Sequence, residues 1–281
     1  MATVEQEIGR EQWDATNYAS KDNLLRVVRE EAQGCFSLVD VPEHWEASTA
    51  SGHWQVRDIV GHMVDVTEGY LERFELARTG SEASALAGLT DMAGTADERA
   101  QAFRSVERGE LVARLKEDFE KMMDVFSGLS EDDWAGLSVT HGYMGPLPAF
   151  FYPVFHVMDY GVHSWDIREG LHLSHYLGAD AADFLVPFMF ILWQATTDAS
   201  KVGEDPIRIG VRVSGRNAGV WRVTCTGEGF AYEQGAVDDL PAVLDFDPAS
   251  IVLTAFGRTR SGTAYGDAEV AQRFGDIFFR I

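Results

Sequence analysis

Up to about residue 200 the apolar positions of this chain recur every three or four places, and beyond it they begin to alternate. A period near 3.6 buries one stripe of a helix and a period of two buries one face of a strand, so the switch separates a helical part from a mixed one. Helical spacing is carried by "KDNLLRVVREEAQGCFSLV" (21–39), "WQVRDIVGHMVDVTEGYLERFELA" (54–77) and "GELVARLKEDFEKMMDVFSGL" (109–129). Asn23 or Ser20 can cap the first of these, and Ser51 the second. A fourth helix begins near "GPLPAFFYP", with Pro153 in or near its first turn and Gly170 placed to end it. The fifth, "ADAADFLVPFMFILWQATTDAS" (179–200), is apolar on nearly all sides between Phe184 and Trp193, as a central bundle helix should be, and Pro187 is expected to kink it. Four or five helices of this length with modest loops predict an antiparallel bundle over residues 1–202.

After "KVGEDP" (201–206) the texture changes. "IRIGVRVS" (207–214) and "VWRVTCTG" (220–227) alternate or run β-branched, with turn residues in "SGRNAG" between them. A further strand is expected around "AVLDF" (242–246), and "DPASIVLTAFGR" and "DAEVAQRFGDIFFRI" return to helical spacing, each opened by an Asp that can cap. Residues 203–281 therefore read as a small α+β unit, and the chain as a whole as α+β in two domains.

Charge narrows the partners. With 45 acidic against 23 basic residues the formal charge is −22, an excess that repels a phosphate backbone, so nucleic acid is not expected as a partner. The start, "MATVEQEIGREQWD", has neither a basic nor an apolar signal region, and the longest apolar run, "FLVPFMFILW" (184–193), is about half a bilayer span. No membrane partner and a cytoplasmic location are the expectation. Cys35 and Cys225, far apart and not in a C-x-x-C pair, suit a reducing compartment.

The chemistry concentrates in "VFHVMDYGVHSWDIREG" (154–170), where His156, Asp159, His163 and Asp166 fall in one helical stripe. Residues four apart rise about 6 Å and can meet at one ion, whereas seven apart rise about 10 Å, so His156 with His163 is a poor pair. Asp159 with His163 is the better one, and His156 with Asp159 the next. A third ligand has to come from another helix, and "WQVRDIVGHMVDV" offers His62 among Ile59, Val60, Met63 and Val66. Two neutral imidazoles and a carboxylate leave a metal open to water or substrate. His44, His172 and His175 lie in or near loops and read as solvated, while His53 and His141 can line a pocket. No G-x-S-x-G elbow, P-loop or G-x-G-x-x-G is present.

These stretches also carry a resemblance. "WQVRDIVGHMVD" resembles the second-helix signature of the mycothiol-dependent maleylpyruvate isomerase family, a branch of the DinB-like metal-binding helical bundles. "GPLPAFFYPVFHVMDYGVHSWDI" resembles the family's later stretch, in which a carboxylate four residues ahead of a histidine precedes an "HxxD" ending, and "VLTAFGRTRSGTAYGDAEVAQRF" resembles its sterol-carrier-like C-terminal domain. The resemblance implies a DinB-like bundle followed by a sterol-carrier-like domain, with zinc or another divalent metal on His62, Asp159 and His163. The family's usual carboxylate is Glu, one methylene longer than Asp159, so a metal either sits closer to the helix, recruits His156, or binds more weakly. Arg258, in "FGR", matches a basic residue that the family brings to its active site.

The resemblance further implies mycothiol as the thiol cosubstrate of an isomerase, whose thiolate adds to an activated double bond of a small acidic substrate. Two alternatives stand beside it: an S-transferase using the same metal and thiol, and a non-catalytic bundle that holds a small apolar ligand. Either monomer or dimer is compatible with all three.

Overall fold

The computed structural model describes residues 9–81, 87–174 and 176–280. The chain divides into two compact units, Met1–Ala181 and Ala182–Ile281. In the first, four long helices form a ring: α1 (Lys21–Val39), α2 (Val56–Thr79), α4 (Arg108–Ser127) and α6 (Phe151–Gly170), with the shorter α3 (Met92–Ala102) and α5 (Glu131–Gly136) on the connections. Helix α1 lies beside α4 and α6, and α2 lies beside α4 and α6.

Side-chain pairs give the directions. Lys21 donates to the Leu129 carbonyl while Lys116 pairs with Asp40, so α1 and α4 are antiparallel. The rings of His62 and His163 meet at 5.2 Å and those of Tyr70 and Phe155 at 6.2 Å, so α2 and α6 are antiparallel too. By contrast Glu68 pairs with Arg114 and Phe74 packs on Phe126, so α2 and α4 run the same way, as the long crossover between them allows.

The buried stripe of α1 is Leu24, Leu25, Val27, Val28, Ala32, Cys35, Leu38 and Val39. Burying each of its large members contributes roughly 1.5–3 kcal/mol before the entropy of ordering is subtracted. Ser51 does not cap α2. That helix starts at Gln55, whose backbone N–H donates to Asp58 Oδ2 at 2.9 Å, and it stops at Gly80 with φ of 68°. Ser20 precedes α1 without capping it, its hydroxyl being given to the Asn17 carbonyl. Before α6 the chain makes a hairpin, β1 (Ser138–His141) paired antiparallel with β2 (Gly145–Pro148). Gly170 ends α6 for a reason beyond helix termination: a Cβ there would stand 2.0 Å from the Ser48 carbonyl oxygen.

The second unit has a five-stranded sheet in the order β5-β4-β3-β6-β7, from β3 (Ile207–Val213), β4 (Gly219–Thr226), β5 (Gly229–Gln234), β6 (Ala242–Phe246) and β7 (Thr263–Gly266). Only β3 and β6 are parallel neighbours among the described strands. Three helices accompany it: α7 (Ala179–Thr196), α8 (Pro248–Ala255) and α9 (Ala268–Asp276). On β3, Ile207, Ile209, Val211 and Val213 are buried while Arg208 is exposed, the alternation that the sequence showed.

Helix α7 corrects the expected boundary. The sequence places it in the bundle and sets the division near residue 203, whereas the two units part between 181 and 182, inside the first turn of α7. Its aromatic residues serve the second unit: Phe190 meets Trp221 of β4 at 4.6 Å, and Trp193 meets Phe246 of β6 at 6.2 Å and Phe274 of α9 at 5.3 Å. An apolar run says that a helix is buried but not against which layer. The helix continues through Pro187, whose side chain is exposed. No helix among the described residues is long and apolar enough to cross a membrane.

Candidate metal centre

Helix α2 carries His62 and helix α6 carries Asp159 and His163. One ligand atom from each of the three lies within 4.8 Å of the other two. The antiparallel crossing that sets His62 edge-on to His163 brings them together, and Asp159, one turn from His163, joins from the same stripe. His163 is buried, while His62 and Asp159 are partly accessible, so the trio is open on one side.

The ring of His163 is held from behind. Its Nδ1–H donates to Asp166 Oδ2 at 3.0 Å, and Asp166 is wholly buried. This bond fixes the tautomer that leaves Nε2 with its lone pair toward His62 and Asp159, as ligating histidines require. Burial pushes the Asp159 carboxyl up to about 6, with His163 opposing that shift. A cation among the three would favour the ionised carboxylate further.

Trp54 walls the site. Its ring centroid lies 5.0 Å from that of His62 and 5.9 Å from that of His163, and its Nε1–H donates to Asp97 Oδ1 at 2.8 Å. Asp97 also accepts from His53 and Gln101, which ties α3 to this wall. The sequence marked His53 as able to line a pocket; it is exposed and binds Asp97. Neither Trp54 nor Asp97 carries a spacing signal, because each comes from outside the helices that hold the three ligands. Asp166 was visible as the end of "HxxD" and as a member of the stripe, and its partner becomes evident only in the folded chain.

His156 stands apart from the trio. It is 1% exposed, with ring neighbours Tyr70, Phe126 and Tyr160 at 5.8, 5.1 and 5.9 Å. Neither ring nitrogen completes a well-formed hydrogen bond, the Tyr152 backbone offering weak support. Asp159 thus reaches His62 and His163 despite its short side chain, and His156 belongs to the aromatic core. His141 is buried against Tyr70 at the hairpin. His44 bonds the Leu38 carbonyl, His172 has φ of 56° after α6, and His175 lies outside the described residues. Arg258 is in the second unit, half-buried after α8, with Nη1 donating to the Phe256 carbonyl at 2.9 Å.

Two expected outcomes arise here. Replacing Asp166 by Ala is expected to weaken divalent-metal affinity about 10- to 100-fold without unfolding the chain, measured by competition with a chelator; unchanged affinity would show that the His163–Asp166 bond is not used. The second concerns pH. Burial pushes His156 and His141 down to about 4 from 6.5, so both are neutral when folded and take up protons on unfolding. Their contribution is therefore lost as pH falls from about 6.5 to about 4. Asp159, raised to about 6, acts in the opposite sense between its two values and offsets part of this. His156→Phe is expected to reduce the acid-side loss of stability by on the order of 2–3 kcal/mol in denaturant titrations at pH 7 and pH 4.5. An unchanged pH slope would contradict a neutral buried ring.

Comparison with known proteins adds the family. Residues 25–168 match the model described as the mycothiol maleylpyruvate isomerase N-terminal domain. Among solved structures, a mycothiol-dependent maleylpyruvate isomerase superposes with a TM-score of 0.62 at 14% identity, covering 88% of this chain and 94% of that one. A histidine-to-alanine mutant of a mycothiol-dependent maleylpyruvate isomerase matches with the same TM-score and coverage at 13% identity. No curated protein matches in sequence. At these identities the structural likeness shows a shared fold, and the sequence match spans about half of the chain, including His62, Asp159 and His163. The chain belongs to the family defined by the mycothiol maleylpyruvate isomerase N-terminal domain.

Proposed function

We propose that this protein is a metal-dependent enzyme of the mycothiol-dependent maleylpyruvate isomerase type, acting on a small unsaturated acid with a low-molecular-weight thiol. The observation that carries the reading is the convergence of His62, Asp159 and His163 to within 4.8 Å, with Asp166 behind His163, inside the segment that defines the family. The donor set, two imidazole nitrogens and one carboxylate oxygen, fits zinc or a similar divalent ion with room for a further ligand. Such an ion, when bound, would stabilise the cosubstrate's thiolate near neutral pH.

The chain's own residues would then do the following. Asp166 keeps His163 in the ligating tautomer, and Asp159 supplies the single negative charge. Trp54 closes one side of the two imidazoles, so thiol and acid approach from the accessible side of His62 and Asp159. The thiolate adds to the activated double bond, whose electrons move onto the adjoining carbonyl as an enolate. Rotation follows about what is now a single bond, and elimination restores the double bond and the thiolate.

The test is turnover of maleylpyruvate by the metal-loaded chain with and without mycothiol. Isomerisation that needs both metal and thiol is expected. A stable thiol adduct with an electrophile, and no isomerisation, would move the assignment to S-transfer; absence of bound metal, with no effect of adding it, would leave a ligand-binding bundle.

A further inference from the structure

At the hairpin end of the seam between α2 and α6 stands an arginine with no acidic partner. In the same unit Arg26, Arg29, Arg57, Arg99, Arg104 and Arg114 pair with carboxylates, whereas Arg108, like Arg73, donates to backbone carbonyls. Arg73 is half-buried, yet among the described residues no carboxylate pairs with it, in a chain that carries 45 of them. Its guanidinium is nonetheless placed. Nη1 donates to the Thr140 carbonyl at 2.9 Å, and Nη2 lies along the turn, 3.4 Å from where a Cβ on Gly142 would be. An oriented guanidinium with no carboxylate partner keeps donors that an anion can use.

Its neighbours are neutral and polar. His141 Nδ1 accepts from the backbone N–H groups of Tyr143 and Met144, both at 3.3 Å, which leaves the proton on Nε2. That Nε2–H points at Tyr70 Oη, 3.4 Å away, so the phenol's oxygen is occupied as an acceptor and its own hydroxyl proton is left to donate. Burial and Arg73 push the His141 ring down to about 4, and burial raises the Tyr70 phenol well above its ordinary value. His141 and Tyr70 are therefore both neutral at neutral pH, which leaves Arg73 as the cation of this group, while the charge of Asp159 reaches Tyr70 from the other side.

The place also faces the right way. Arg73 is eleven residues beyond His62, within about 20° of the same azimuth and roughly 16 Å further along α2. Across the seam Phe155 touches both Tyr70 and His141, and Asp159 follows it one turn along α6. A ligand lying along this seam would meet His62, Asp159 and His163 at one end and Arg73 at the other. We infer that Arg73, supported by the Tyr70–His141 pair, is a binding site for a ligand carboxylate remote from the reacting bond. The inference rests on the reading above for the acidic character of the substrate, and it makes Arg73 a determinant of specificity for extended acids.

The experiment uses succinate, a dicarboxylate with no double bond to react, and its neutral dimethyl ester. Binding is followed by titration calorimetry and by the amide signals of Gly142 and Tyr143 in the full chain bearing His62→Ala, so that binding through a metal does not contribute. Arg73→Gln is expected to weaken succinate binding about tenfold or more, Arg73→Lys to retain most of it, and the ester to be indifferent to either change. Equal succinate affinity with and without Arg73→Gln, or no succinate binding before that change, would overturn the inference. No thiol-dependent turnover by the metal-loaded chain with His62 in place, with succinate binding intact in the His62→Ala chain, would sink the isomerase reading and leave this site standing.

Discussion

His62→Ala and His163→Ala are each expected to leave the purified chain without bound metal, whereas His156→Ala retains it. With three protein ligands, removing one imidazole leaves two donors on an ion that needs three to be held against water, and affinity falls by orders of magnitude. His156 contributes no donor atom to the trio; its ring is buried among Tyr70, Phe126 and Tyr160. Its truncation costs packing, about 2–4 kcal/mol by analogy with other buried aromatic truncations, but not the ion. Elemental analysis of the three variants separates the roles. Metal loss in the His156 variant together with retention in the His62 variant would mean that the ligands are misassigned.

The second large effect is on stability. Asp58 is 0% exposed and accepts from the Gln55 N–H at 2.9 Å and from Arg104 Nε and Nη2 at 2.7 and 2.8 Å. It therefore begins the helix that carries His62 and fastens the segment after α3 to it. Hydrogen bonds from Arg104 and Gln55 hold its carboxyl below the usual range against the cost of burial. Asp58→Ala is expected to cost about 3 kcal/mol, since cap and ion pair go together and the guanidinium is left without its acceptor; partial exposure of Arg104 keeps the figure from being larger. Asp58→Asn, which keeps an acceptor, falls between. Denaturation midpoints measure both, and a loss under about 1 kcal/mol for the alanine variant would show that the segment finds another anchor.

Much of the architecture was legible because it depends on period. The stripes of 21–39, 54–77 and 109–129 each became a helix close to those bounds, and the alternation of 207–214 became a strand. Period is silent on direction and on partner. It could not show that α2 and α4 run parallel, or that the apolar helix 179–196 covers a sheet. The hairpin 138–148 was missed because "THGYMGPLP" is rich in glycine and proline, which mark turns more strongly than strands.

At the site, spacing identified Asp159 and His163 as a pair and residue chemistry offered His62. The separation of His156 could not be read, since the stripe 156–159–163–166 still spans about 80°, enough for its edges to face different helices. Trp54, Asp97 and Arg73 were invisible for a related reason: their significance lies in what crosses them, and neighbours from other elements leave no mark on local sequence.

The central claim is that His62, Asp159 and His163 form one metal centre that accepts a thiol. The most direct test is cobalt(II) titration of the metal-free chain followed by absorption spectroscopy. The expected result is saturation at one equivalent, with the intense visible bands of a four- or five-coordinate site and a sulfur-to-cobalt charge-transfer band when thiol is added. No saturable binding, or the same spectrum with and without His163→Ala, would contradict it.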